Sequence, residues 1–365
     1  MLYRRQSELQ KVSTFPPPPS SRSAVKRAGK AISEGTATEQ DIDLVDQWRA
    51  AHGYVINTFQ IFFKRRIVKR NAPAEFAQRL KRRRTVIDKL HRRRNDGQPL
   101  IADVTSMHDF AGCRLIFEDI ESLVEFRSYV NSPESMKNVK HRLRHNLEKY
   151  DYIERPKSSG YRGIHDIYYH HPRPHRHGDM SAPWQGLLVE VQYRTRVQHA
   201  WATALEISDI IDGQRTKFEL SETERVRFFS LASEILARHH EHKSRAFVDK
   251  TQNDLLNELN ELENKLGILR RLDALKQYGG LEKIRRHNVL NIRSLDGSAF
   301  ELEVFAFQNA SQAIKKATEL EKDPDSVNAV YVSADNPSQL RSAYRNYFND
   351  PVDFVQLIRE ATGRL

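Results

Sequence analysis

Leu187-Leu188-Val189-Glu190-Val191-Gln192-Tyr193 carries the strongest strand signal in this chain. Its β-branched and aromatic residues favour extended backbone. Glu190, Gln192 and Arg194 recur at every second position, and Thr195 closes the run. In a strand this spacing sends the polar groups to one face and the apolar groups to the other. Residues 198–211 then read as a helix. Upstream, 112–117 reads as a buried strand, 122–129 as a helix and 165–170 as another strand. Strands interleaved with helices predict an α/β domain, a mixed sheet flanked by helices.

The flanks read differently. Residues 1–37 are expected to be a flexible leader, because Phe15-Pro16-Pro17-Pro18-Pro19-Ser20 favours polyproline geometry. Thr38-Glu39-Gln40-Asp41 has the form of a capped helix start. Ile42, Val45, Val55, Phe59 and Phe62 follow at roughly helical spacing, and Ala72-Pro73 breaks that helix. A second helix is predicted over 74–93. The main domain is thus expected over 38–215, with a helical segment over 221–285. In that segment Leu255, Leu259, Leu262, Leu266 and Leu269 form a 4-3-4-3 seam, read as packing within the chain. Residues 286–365 are predicted to be a small β-β-α-β-α unit of α+β class, opening with a hairpin around Asp296-Gly297 and closing with two short helices.

Composition narrows the chemistry. Of 365 residues, 59 are Lys or Arg and 48 are Asp or Glu, a net charge of +11 that favours anionic partners. Fourteen of the cations lie between Phe62 and Arg94, against only Glu75 and Asp88, so that segment holds the whole excess. No apolar run approaches the roughly 20 residues of a membrane span. The first ten residues lack the apolar core of a signal peptide. Cys113 is the only cysteine, so no internal disulfide can form and a cytoplasmic location is expected.

Four groups of residues carry candidate chemistry. Arg79, Lys81, Thr85 and Lys89 cannot share one face of a continuous helix, so a turn near Arg83 is needed for them to converge. Such a cluster neutralises a triphosphate. Asp109 and Glu190 can hold Mg²⁺ between them, with phosphate oxygens completing its shell. Taken singly, each acid reads equally well as a turn cap or an exposed strand residue. Gly112 permits close approach, and Arg114 can clamp phosphate beside them. Finally, Tyr152-Ile153-Glu154-Arg155-Pro156-Lys157-Ser158-Ser159-Gly160-Tyr161-Arg162-Gly163-Ile164-His165 combines cations, a turn, a flat ring and a histidine. Those are the groups that a nucleotide's phosphates, base and sugar require. His170, His171, His175 and His177 match no compact zinc spacing and are expected in a surface loop.

In this order the motifs resemble those of the RelA/SpoT alarmone synthetases. Arg79-x-Lys81-x-x-x-Thr85-Val86-x-x-Lys89 matches the family's basic ATP motif, with Thr85 where Ser is usual and Val86 for Ile. Asp109-x-x-Gly112-x-Arg114 matches its metal motif. Lys157, Gly160, Tyr161 and His165 match its Lys-x-x-Gly-Tyr-x-x-x-His motif, and Glu190-x-Gln192-x-Arg194-Thr195 its Glu-x-Gln-x-Arg-Thr motif. Trp201 fits the helix that follows. The resemblance spans about residues 74–210. It implies a nucleotidyltransferase-like fold and an enzyme without the hydrolase domain of the long family members. It further implies transfer of the β,γ-pyrophosphate of ATP to the 3′-hydroxyl of GDP or GTP, giving ppGpp or pppGpp and releasing AMP. By analogy, Asp109 and Glu190 bind Mg²⁺, and Glu190 alternatively takes the 3′ proton. Arg79, Lys81, Thr85, Lys89 and Arg114 hold ATP. Tyr161 stacks on the acceptor base, while Lys157, Ser159, His165, Gln192 and Arg194 contact the rest of the acceptor. Ser159 stands where many members carry Asn, which weakens the expectation of guanine reading. The stretch from Arg92 to Pro99 reads as an added loop.

Two other readings stand beside this one. A toxin of the same family would place the pyrophosphate on the 3′ end of tRNA, because Arg82, Arg83, Arg84, Arg92, Arg93 and Arg94 exceed what one ATP needs. A non-catalytic RNA-binding protein would have no use for two acids among the cations. The C-terminal unit is expected to serve regulation or docking, as a contact for a second copy or a regulatory protein.

Overall fold

Thr38 and Asp41 exchange the reciprocal bonds of a capping box, with Asp41 N donating to Thr38 Oγ1 over 3.3 Å and Thr38 N donating to Asp41 Oδ2 over 2.9 Å. They start α2 (Glu39–Arg70), which ends at Asn71 in left-handed backbone. The computed structural model describes residues 15–81, 83–94, 96–137, 139–171, 182–213, 222–273, 276–277, 285, 287–295, 300–320, 323–333 and 350–363. The chain divides into two compact units. The first comprises residues 1–115, 124–150 and 165–193; the second comprises 116–123, 151–164 and 194–365.

The first unit contains α1 (Arg22–Glu34), α2, β1 (Ala74–Leu80), α3 (Arg83–His91), α5 (Pro133–Met136) and β3 (Arg142–Leu143), with most of β2 (Ala111–Phe117), α4 (Ile120–Val130), β4 (Ile164–Tyr169) and β5 (Leu188–Thr195). The strands form one mixed sheet in the order β1-β2-β5-β4-β3. Along β5, Val189, Val191 and Tyr193 are buried while Glu190 and Gln192 are half-buried, as the alternation predicts. In an aromatic core, Phe59 of α2 meets the rings of His141, Tyr168 and His170, Phe62 meets His141, and Phe63 packs edge-on against Phe62. Cys113 is buried in β2.

Three expectations fail in this unit. Residues 74–80 form a strand, not the start of a helix. Their side chains are good helix formers, but pairing alongside β2 outweighs that weak local preference. The break between β1 and α3 does supply the turn that the basic residues require. The expected flexible leader contains α1, capped by Ser21 and by Gly35 in left-handed backbone; Val25, Ala28 and Ile32 are buried. Gly29 lets α1 approach Val104 so closely that a Cβ there would sit 2.4 Å from Val104 Cγ1. Even Pro16 is anchored, because its carbonyl accepts from Trp184 Nε1 at 3.0 Å. Residues 1–14 lie outside the described residues. Finally, His170 is not on a surface: it is fully buried and its Nδ1 lies 2.9 Å from the Trp184 carbonyl oxygen. His175 and His177 lie outside the described residues.

The second unit contains α6 (Arg196–Gly213), α7 (Glu222–His240), α8 (Gln252–Leu266), α9 (Ile268–Asp273), β6 (Lys276–Gln277), β7 (His287–Ser294), β8 (Phe300–Phe307), α10 (Ala310–Leu320), β9 (Ser326–Ser333) and α11 (Asp350–Thr362). Leu255, Leu259 and Leu266 of the seam are buried, and Leu262 and Leu269 pack against the same core as Phe229, Leu290 and Phe354. The seam is therefore intramolecular. β7 pairs antiparallel with β8 and with β9, giving a sheet of order β6-β8-β7-β9. The expected turn at Asp296-Gly297 and the first of the two closing helices fall outside the described residues. Among the described residues no helix is long and apolar enough to cross a membrane.

Candidate active site

The first unit gathers Lys81, Lys89, Asp109, His165, Glu190 and Gln192. Lys81 follows β1, and its amide is tied to the Phe110 carbonyl at 2.9 Å. Lys89 comes from α3. Both ammonium groups reach Asp109 Oδ2, at 2.6 Å from Lys81 and 3.0 Å from Lys89. Among the described residues, the buried Asp109 Oδ1 has no hydrogen-bond partner. Burial pushes the Asp109 carboxyl up, and Lys81 and Lys89 overcome it to hold the group below its ordinary value. Glu190 pushes in the opposite direction, so the two acids lie within electrostatic reach of each other.

Glu190 is itself held at both oxygens. His165 Nδ1 lies 3.0 Å from Oε1, and Gln192 Nε2 donates to Oε2 at 2.8 Å. Burial raises this carboxyl, but His165, Gln192 and Lys89 together take it far below the usual carboxylate range. Both acids are therefore ionised at neutral pH. His165 and Gln192, expected on the acceptor, are brought together on Glu190. Arg114 is buried on β2. Thr85 is exposed on α3, and Arg79 lies on β1. Sequence reasoning assigned His108 no role. Its imidazole feels Glu190, Asp109 and Lys89, and burial and Arg144 lower its pKa. Its position beside Asp109 was the available signal.

Much of the basic run is used inside this unit. Arg66 donates to Ser135 Oγ at 2.7 Å and lies over the Phe62 ring, Lys69 pairs with Glu134, Arg70 with Glu125 and Arg83 with Asp46, while Arg93 bonds Ser33. Arg92 and Arg94 are exposed, in or beside a loop that a bridge between Arg93 and Pro99 closes.

Lys157, Tyr161 and Arg194 belong to the second unit. A tight turn closes as Gly160 N donates to Lys157 O at 2.8 Å and Lys157 N donates to Tyr161 O at 3.2 Å. Tyr161 OH accepts from Arg194 Nη2 at 3.2 Å. Lys157 Nζ lies 5.1 Å from the Tyr161 ring centre and 4.4 Å from that of Tyr152. Trp201 meets the Tyr161 ring edge-on. Ser159 is half-buried in the turn. Arg194 is buried, and its Nη1 has no hydrogen-bond partner among the described residues. This is an aromatic platform with cations at its margin, suited to a base carrying phosphates.

Among the described residues no cluster of three or more His, Cys, Asp or Glu could cage a metal ion. Asp109 and Glu190 are a donor pair compatible with Mg²⁺, which usually takes one or two carboxylates and completes its shell from phosphate and water. The partnerless Asp109 Oδ1 and the nearby Glu190 are the donors on offer.

Residues 78–208 match a family described as a region found in RelA / SpoT proteins. No curated protein matches the chain. Small alarmone synthetase 1 from Bacillus subtilis bound to its product pppGpp is similar at 19% identity, over 59% of this chain and 94% of that one, with a TM-score of 0.40. The same synthetase bound to AMPCPP is similar at 16%, over 52% and 90%, with a TM-score of 0.35. The smu.1046c protein from Streptococcus mutans UA159 is similar at 21%, over 56% and 95%, with a TM-score of 0.36.

Proposed function

We propose, with the RelA/SpoT region carried at residues 78–208 as the premise, that this protein is a pyrophosphotransferase that moves the β,γ-pyrophosphate of ATP to the 3′-hydroxyl of GDP or GTP. The observation that carries the reading is Asp109: an ionised, largely buried carboxylate gripped by Lys81 and Lys89, with one oxygen unused and Glu190 in reach. Binding RNA requires no such group. Transferring a pyrophosphate does, because positioning and charge neutralisation dominate that chemistry.

The acceptor's 3′ oxygen attacks the β-phosphorus of ATP. The bond from that phosphorus to the α–β bridging oxygen breaks, and AMP leaves with the electron pair. In this reading Glu190 is the group assigned to the 3′ proton, which His165 can share across their 3.0 Å contact. Lys81, Lys89, Arg79 and Arg114 supply cationic groups for the triphosphate, and Thr85 is assigned to the same ligand. A bound Mg²⁺, held by Asp109 and Glu190, would neutralise phosphate charge. Tyr161 stacks on the acceptor base, with Lys157 and Arg194 set for its phosphates and Ser159 in the same turn. The internal partners of Arg66, Arg83 and Arg93 leave less of the basic run for a polynucleotide, which favours a small acceptor.

The test is to incubate the protein with ATP labelled on its γ-phosphate and offer GDP, GTP, ATP or bulk tRNA. Label on guanine nucleotides alone is expected. Label on tRNA alone would replace this reading with the toxin reading, and no transfer to any acceptor would refute both.

A further inference from the structure

The turn that carries Tyr161 is held by a helix outside the matched region. Ser233 Oγ on α7 donates to the Gly160 carbonyl at 2.6 Å and accepts from Arg162 Nε at 3.3 Å. The next residue, Glu234, is fully buried and forms an ion pair with Arg162, itself 3% exposed. Glu234 also accepts from Arg238 Nε at 2.9 Å, Ser244 Oγ at 2.7 Å and Ala246 N at 3.2 Å, so the buried carboxylate is fully supplied with donors. Gly160 adopts φ +88°, and a Cβ there would sit 2.7 Å from Ser230 Cα on the same helix. A carbonyl, an α-carbon and a guanidinium of one short turn are thus fixed by Ser230, Ser233 and Glu234 on one stretch of α7.

We infer that Ser233 and Glu234 are positioning residues for acceptor recognition, setting the Lys157–Tyr161 turn so that its ring and cation meet the acceptor nucleotide. The inference rests on the acceptor role proposed above for Tyr161. Neither residue reaches the platform itself; both act through Gly160 and Arg162. A buried ion pair seldom stabilises a fold more than apolar packing of the same volume, and its well-attested use is to fix one geometry among several. Here the geometry fixed is that of the residues flanking Tyr161. The sequence match ends at residue 208, so on this inference part of the acceptor site lies beyond the matched region.

The experiment uses the full chain and the acceptor identified by the labelled-ATP assay. Ser233→Ala is expected to raise the acceptor KM about tenfold, the worth of one well-placed hydrogen bond. Its kcat and ATP KM should stay within about twofold, and Ser233→Thr, which keeps the hydroxyl, should restore the acceptor KM. Amides of residues 158–163 should exchange hydrogen faster in Ser233→Ala, while those of 83–91 do not. Glu234→Gln should act in the same direction; should it fail to fold, Ser233→Ala decides alone. An unchanged acceptor KM, equal losses for ATP and acceptor, or no rescue by threonine would overturn the assignment while the reaction stands. Absence of transfer by the unaltered chain would refute the reaction and the assignment together.

Discussion

Around Asp109 the protein concentrates opposite charges and leaves one carboxylate oxygen over; around Tyr161 it stacks rings against cations and locks the backbone beneath them. The first arrangement suits a ligand whose negative charge must be balanced. The second suits a ligand with a flat face and a defined edge. They also differ in how they are held. Glu190 comes from a strand, Lys81 and Asp109 from just outside the ends of two others and Lys89 from a helix, whereas the Tyr161 turn depends on α7, some seventy residues later in the chain.

The largest effect is expected at Asp109. Asp109→Ala should lower turnover about a thousandfold, with the far-ultraviolet circular dichroism unchanged. A variant keeping substantial turnover would remove the charge cluster from the chemistry. At the other region, Gly160→Ala forces a Cβ into α7 at left-handed φ, which should cost about 3 kcal/mol in urea denaturation and depress acceptor use before ATP use. Native stability in this variant would show that the turn is not clamped.

Acidification should separate the two units. Burial takes His52 and His170 down to about 4 and His141 to about 3, all in the first unit. Neutral when folded and protonated when unfolded, they favour the fold above their ordinary value and lose that contribution as pH falls through it. Between pH 7 and pH 6 the first unit should lose about 2 kcal/mol. In the second unit burial raises the Glu241 carboxyl, so its contribution is greatest in acid and declines as pH rises through the raised value. Fluorotryptophan resonances of Trp48 and Trp184 should therefore report acid weakening in urea that Trp201 does not share. Parallel losses at all three tryptophans would contradict this division. The smallest effect is at Tyr161: Tyr161→Ala should weaken acceptor use by about tenfold and leave ATP binding unaltered. Equal loss of both would argue against stacking.

Much of this could be read from the chain because its signals are local. Alternation gave β5, short apolar runs gave β2 and β4, and leucine spacing gave the α8 seam. The charge cluster was readable too, since each member sits in a compact motif. β1 was misread because Ala, Glu, Gln, Arg and Leu are helix formers and only its neighbour strand makes it extended. α1 had its signals in plain view, Ser21 at one end and Gly35 at the other, yet the prolines before it drew the reading towards a flexible leader. Nothing local announces that Ser233 and Glu234 serve Gly160 and Arg162, because that relation exists only once the chain has folded.

Cys113 carries a practical consequence. The only thiol of the chain is 1% exposed, and burial disfavours its thiolate, the form that alkylating reagents attack. The native protein is therefore a quiet background for maleimide chemistry. A Ser158→Cys or Thr85→Cys variant, each at an exposed position, would offer one reactive handle, so dyes and spin labels can be attached without first removing a cysteine.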